Sequence, residues 1–124
     1  MADITPVVKH LSLNDEAVQS INWLLLSQAS PNGTPIPAYA YADKTVSIDG
    51  TFGASGSITL QGSNDGTNWF PITKPAGGAI TFTAAGGAAC IENPAFMRPT
   101  VTVSDGTTAL NCRLVVRRNN PMRT

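Results

Sequence analysis

A single histidine, two cysteines and eight acidic residues are the side chains with the widest chemical reach in this 124-residue chain. His10 would have to serve any Ser-His-Asp relay, and it sits in a segment with no orienting context around it. With Cys90 and Cys112 it lacks the close spacing of a zinc site. The acids are scattered, and Asp65 and Asp105 stand in turns that favour Asp or Asn without any catalytic task. A calcium ion could use either with turn carbonyls, but neither region has the dense acidic spacing of a dedicated loop. Gly50-Thr51-Phe52-Gly53-Ala54-Ser55-Gly56 is glycine-rich, yet it has neither the spacing nor the lysine of a phosphate loop and reads as a turn or bulge. Trp23, Tyr39, Tyr41 and Trp69 could form a stacking platform for sugars or bases, although only Lys44 is interleaved with them. No cofactor or metal and no enzymatic cluster is called for, so the chain is expected to act through its surface.

The elements that carry these residues read as short strands. Val46 and Ile48 alternate with Ser47 and Asp49, and Ile58 and Leu60 with Thr59 and Gln61, the two-residue period of strands with one buried face. Asn64-Asp65-Gly66 reverses the chain so that Thr67 to Phe70 returns as a partner strand. Phe96 to Val103 and Ala109 to Val116 read as a last pair joined at Ser104-Asp105-Gly106-Thr107-Thr108. In that final strand the alternation puts Cys112 inside and Arg113 and Arg117 outside. Trp69, Phe70, Phe82 and Phe96 are the aromatic candidates for the core. Ile21 to Leu26, apolar on successive residues, fits a strand buried on both faces or a subunit contact. A helix from Asp15 to about Leu26 is the competing reading. Pro35 and Pro37 keep the segment that follows them at an edge. Lys74 to Gly78 and Ala84 to Ala89 read as loops.

Length and composition fit one domain. Eleven glycines, nine prolines and only 13% charged residues suit turns recurring every ~8–12 residues in an all-β fold. We expect a single-domain β-sandwich or jelly-roll-like fold of about eight strands. Residues 1–20 form an extended N-terminal arm in which Val7 to Leu11 could make a short strand, 21–118 the sandwich and 119–124 a C-terminal tail. Net charge is zero, but residues 1–50 set Lys9 and Lys44 against five acids, and the remainder is correspondingly basic, with Arg117, Arg118 and Arg123 close to the end. The basic end could touch an acidic protein surface, but no wider basic field supports nucleic-acid binding. No stretch approaches the ~18 apolar residues of a membrane span, and no secretion signal precedes the strands. The chain is expected to be soluble and made in the cytoplasm, where Cys90 and Cys112 could pair but read better as reduced core residues.

From about Tyr41 to Arg118 the chain resembles small structural proteins of tailed bacteriophages. The matching pieces, in the same order, include Ala42-Asp43-Lys44-Thr45-Val46, Gly50-Thr51-Phe52-Gly53, Gln61-Gly62-Ser63-Asn64-Asp65-Gly66-Thr67-Asn68-Trp69, Glu92-Asn93-Pro94, Arg98-Pro99 and Asp105-Gly106-Thr107-Thr108. The third piece by itself also looks like the hairpin of discoidin-type sugar- or lipid-binding modules. The resemblance implies a virion protein similar to head decoration (cement) proteins. Such a protein is made in the bacterial host cytoplasm and sits on the capsid exterior, where it binds the major capsid protein, as a dimer or trimer.

A cement protein must bridge capsid subunits, so it needs a rigid body and a segment that buries area on the lattice. Val7, Val8, His10, Leu11, Trp23, Leu25, Arg117, Arg118 and Arg123 are the candidate capsid or subunit contacts, being apolar or charged residues that the sandwich does not obviously need. The alternative is a tail or fibre-associated module that binds host glycans near Trp69 and Tyr39.

Overall fold

The computed structural model describes residues 3–11, 18–38, 41–90 and 92–118. All regular elements among them are strands, ten in number: β1 (Val7–His10), β2 (Val18–Leu26), β3 (Ile36–Pro37), β4 (Tyr41–Thr51), β5 (Ser57–Ser63), β6 (Phe70–Pro71), β7 (Thr81–Phe82), β8 (Gly86–Cys90), β9 (Phe96–Val103) and β10 (Ala109–Arg118). They make two sheets. The first has the order β1-β2-β10-β4-β8, and the second the order β3-β9-β5-β6, with β7 also on β5. Every strand pairing is antiparallel. The all-β sandwich read from the sequence is thus the observed architecture.

The core lies between the sheets. Ile21, Trp23, Leu26, Val46, Ile48, Leu110, Cys112, Leu114 and Val116 face in from the first sheet. Ile58, Leu60, Met97 and Val101 meet them from the second, and Ile72 and Ile80 close the side. The expected alternation in β10 holds, with Cys112, Leu114 and Val116 buried and Arg117 exposed. Of the four aromatic core candidates, Phe70 is exposed, and Trp69, Phe82 and Phe96 are only half-buried. Phe82 packs against the rim of the core, and Trp69 lies outside the strands. Trp23 is instead the large buried aromatic, with none of its surface exposed and its indole N–H donating to the Thr34 carbonyl at 3.0 Å.

Several local readings change. Ile21 to Leu26 belongs to β2 and not to a helix. The N-terminal segment contributes β1 at the place of the short strand expected there, an edge strand paired residue for residue with β2, and Ile4 bridges to Gly33. Val18 to Ser20 likewise belong to the sandwich, and residues 119–124 lie outside the described residues. The Ala84–Ala89 loop is largely β8, whose Gly and Ala residues form an edge that needs no large side chains. β9 and β10 do not pair with each other. β9 pairs with β3 and β5, while β10 pairs with β2 and β4, so the Ser104–Thr108 turn carries the chain from one sheet to the other. Residues 52–56 make the same crossing between β4 and β5.

The register sets the two cysteines apart. Cys112 pairs with Ile48 and Cys90 with Lys44, leaving them four residues apart along β4, or about 13 Å, and on different strands. That separation is beyond the reach of a disulfide, and both thiols are free and buried.

Trp23 is seated by the segment before β3. The Val101 N–H donates to Pro31 O, and the Gly33 N–H donates to Pro99 O, at 2.8 and 2.9 Å. This brings Gly33 against the indole. A Cβ there would lie 2.5 Å from Trp23 Cδ1 and 2.7 Å from Pro99 Cδ. Gly33→Ala should therefore destabilise the fold by about 1–3 kcal/mol through overpacking, read as a lower urea midpoint at unchanged m-value.

Candidate functional site

The candidate contact residues converge on the β1–β2 half of the first sheet, and the register explains how. Val7 pairs with Asn22, which pairs with Arg113, and Lys9 lies across from Ser20, which lies across from Val115. The Leu11 N–H donates to Val18 O, and Val18 pairs with Arg117. Directly opposed residues share a face. The outer face of this half therefore carries Val7, Lys9, Leu11, Val115 and Arg117 on neighbouring strands. Val7 and Leu11 are 49% and 52% exposed. Val8 and His10 project to the other side of the same edge strand, and both are exposed. Arg118 ends β10, and Arg123 lies outside the described residues.

Trp23 does not join them. Buried completely, it cannot touch a partner, and its place is the core. The apolar run Trp23-Leu24-Leu25-Leu26 misled because its period breaks in the middle. Trp23 pairs with Cys112 and Leu26 with Leu110, so Leu24 and Leu25 together oppose the single residue Asn111. This is a β-bulge: Leu24 faces outward by ordinary alternation, and the extra residue turns Leu25 outward beside it. Leu25 is 65% exposed and has φ +63°, the left-handed region that glycine occupies freely and a bulky side chain occupies at a cost of about 1 kcal/mol or more.

A polar network holds the bulge in place. The Asn111 Oδ1 accepts the Leu25 N–H at 3.0 Å, and its Nδ2 donates to Asp49 Oδ1 at 2.8 Å. Arg113 Nε donates to Asp49 Oδ2 at 3.1 Å, and Arg113 Nη1 reaches Asn22 Oδ1 at 3.4 Å. Asn22 Nδ2 donates to the Val7 carbonyl, tying the edge strand to the same network. Hydrogen bonds from Asn111 and Arg113 hold the Asp49 carboxyl below the usual carboxylate range. Sequence reasoning missed Val115 and this network, since the pairing of β2, β10 and β4 is not a local property.

Elsewhere the titratable groups serve structure. Lys44 is buried opposite Cys90. Its Nζ donates to Asn93 Oδ1 and to the Tyr41 carbonyl, and burial pulls its pKa down. Burial pushes both thiols up, away from thiolate reactivity. Asp65 caps its turn by accepting the Thr67 and Asn68 N–H groups at 2.8 Å each. Arg98 lies 4.3 Å from the Trp69 ring centre and donates to Gln61 Oε1, so this pair is committed to the outer face of the second sheet. Tyr39, another member of the expected stacking platform, lies outside the described residues. Among the described residues no three His, Cys, Asp or Glu side chains group as a metal site. No described helix is long and apolar enough to cross a membrane.

No protein-family model and no curated protein matches the chain. Among solved structures, a cupin protein from Bacteroides fragilis is similar over 100% of this chain and 84% of its own, at 14% identity and a TM-score of 0.40. The SPBc2 prophage-derived protein YomS is similar over 85% of this chain and 98% of its own, at 11% identity and a TM-score of 0.43. Likenesses this distant carry no argument about function.

Asp105 gives the clearest pH dependence. It accepts N–H groups from Ala54 and Thr107, at 2.9 and 2.8 Å, and these contacts lower its pKa from 3.8 to about 2. A depressed folded-state value favours the ionised form in the native protein. The stabilisation is complete above the unfolded value of 3.8 and is lost as pH falls through about 2. Asp105→Asn should lower stability at neutral pH and flatten its decline across that acid window, as followed by the urea midpoint against pH. An unchanged slope would assign the acid sensitivity elsewhere.

Proposed function

We propose that the chain is a phage virion structural protein that binds the outer surface of the capsid and cements neighbouring major capsid subunits. The contact surface is the β1–β2 half of the first sheet: the Leu24–Leu25 bulge, the edge strand with Val7 and Val8, and Leu11 and Arg117 beside it. The resemblance of residues 41–118 to tailed-phage structural proteins supplies the class. The observation that carries the reading is Leu25, an exposed leucine held in a strained backbone conformation by a dedicated asparagine. Strain of this kind persists only where the surroundings enforce it, and it gathers at functional positions. Here it lifts an apolar side chain clear of a polar sheet face, as a hot-spot contact requires.

β1 adds a free strand edge. Its residues pair on one side with β2, and among the described residues no strand pairs with its other side, which could take an extended segment of a capsid subunit. Bound copies stand on the capsid exterior as dimers or trimers at symmetry positions, and the head gains stability by mass action on the decorated state.

Co-sedimentation with immature and expanded heads of the encoding phage tests the reading. Binding should saturate at a fixed ratio to capsid subunits and favour expanded heads. Leu25→Gly separates function from fold, because glycine adopts the bulge conformation without strain. The variant should be as stable as the parent or more so, yet bind heads roughly tenfold more weakly, the equivalent of about 1.4 kcal/mol. Absence of binding to either head form would remove the decoration reading, and undiminished binding by the variant would remove the bulge from the interface.

A further inference from the structure

A shallow cleft of about 320 Å³ lies where the chain passes from β8 to β9, bounded by Asn64, Phe70, Glu92, Asn93 and Pro94. Its volume is at the lower end of the roughly 300–1,000 Å³ of small-molecule sites. Phe70 is 37% exposed beside four residues that are polar or proline. The amide orientations are fixed by the chain. Ala95 N–H donates to Asn64 Oδ1 at 3.3 Å, and Lys44 Nζ donates to Asn93 Oδ1. With both oxygens committed to donors, each amide keeps its NH₂ group for a ligand. Glu92 is anchored by Thr73, whose N–H and hydroxyl reach Oε1 and Oε2 at 3.1 and 2.6 Å. Each carboxylate oxygen retains a lone pair to accept a further hydrogen bond.

The geometry points to a carbohydrate site: the cleft takes a neutral hexopyranose, one ring face against Phe70 and its hydroxyls shared between the Asn64 and Asn93 amides and the Glu92 carboxylate. Adjacent hydroxyls both donate and accept, and they suit a lining that offers NH₂ donors and a carboxylate acceptor beside one aromatic ring. An anionic ligand is disfavoured, because Glu92 is the charged lining group and the nearby Lys44 is buried and spent on Asn93 and Tyr41. An apolar ligand would leave the two amides and the carboxylate unpaired. The partners that fix the polar groups also pre-organise them, which lowers the ordering cost of binding. A cleft this open binds one sugar weakly, and an array of copies would raise the effective affinity.

The test is a ¹H–¹⁵N NMR titration of the full chain with glucose, galactose and N-acetylglucosamine, using glucuronate as the acidic comparison. At least one neutral sugar should shift the Asn64 and Asn93 side-chain amide signals saturably in the millimolar range, with glucuronate giving no response. Phe70→Ala, at an exposed position, should weaken that binding roughly tenfold, the factor corresponding to about 1.4 kcal/mol. Asn93→Asp keeps an acceptor for Lys44 but removes the NH₂ group. It should weaken binding while the rest of the spectrum stays in place. Silence from all three neutral sugars, an equal response to glucuronate, or binding that survives both substitutions would overturn the assignment. Co-sedimentation of either variant with heads is unaffected by that result, so the sugar site and the capsid contact fail separately.

Discussion

Two crossings between the sheets run side by side, and the contacts that lock them together are the constraint on which the rest of the sandwich depends. β4 leads into β5 through residues 52–56, and β9 leads into β10 through residues 104–108. Because β4 pairs with β10 and β5 with β9, the four strands amount to one long antiparallel ribbon bent in the middle, each half in a different sheet. At the bend, Asp105 Oδ2 accepts the Ala54 N–H, and the Thr108 hydroxyl donates to the Phe52 carbonyl at 3.0 Å. Gly53, at φ +80°, passes so close to the Asp105 carboxylate that a Cβ would meet Oδ1 at 2.5 Å. These contacts satisfy backbone groups that neither sheet can pair at a corner, and they fix where each half of the ribbon begins.

What could be read from the sequence follows from that geometry. The in-and-out pattern of β10 and the reversal at Asn64-Asp65-Gly66 depend on neighbouring residues alone, and both are observed, whereas the segment after Pro37 enters β4, an inner strand and not the edge that the prolines suggest. The corner at Ser104–Thr108 uses the same Ser/Asp/Gly/Thr residues as that reversal, with an aspartate capping the N–H two residues on in both. Only the long-range bonds to Phe52 and Ala54 distinguish a crossing from a hairpin, so a local reading pairs β9 with β10. Gly86 to Ala89 was hidden for a different reason. An edge strand of glycine and alanine shows no hydrophobic period, because no side chain in it has enough apolar surface to need a side.

The candidate contact surface was partly legible. Val7, Val8, Leu11 and Leu25 stood out as apolar residues with no evident core role, and the fold leaves all four exposed on one half of the first sheet. Trp23 shared that signature and proved to be core, paired with Cys112, while one inserted residue turns Leu25 outward and returns Leu26 to the core without changing the composition of the run. Asn22, Asp49, Asn111 and Arg113 carry no signature in isolation. They become a network only when β2, β10 and β4 lie side by side, which places residues 22 and 113 within reach across 91 positions.

The order of the first sheet bears on how the two proposed contacts coexist. β1 and the bulge belong to one side of that sheet, and β8 forms its other edge, four strand spacings or about 19 Å away. Glu92, Asn93 and Pro94 follow directly from β8, and Lys44 on β4 fastens Asn93 to the sheet. A capsid subunit seated on the β1 side therefore leaves the cleft beside β8 uncovered. The arrangement also separates their mechanical demands. The proposed capsid contact relies on the β1 edge and a strained apolar bulge, whereas the proposed sugar cleft draws its polar groups from the loop next to the core, where a buried lysine and the paired oxygens of Thr73 and Glu92 hold them in place. Substitution at either surface should be tolerated by the other, because they share no side chain and the strands between them form the rigid centre of the sheet.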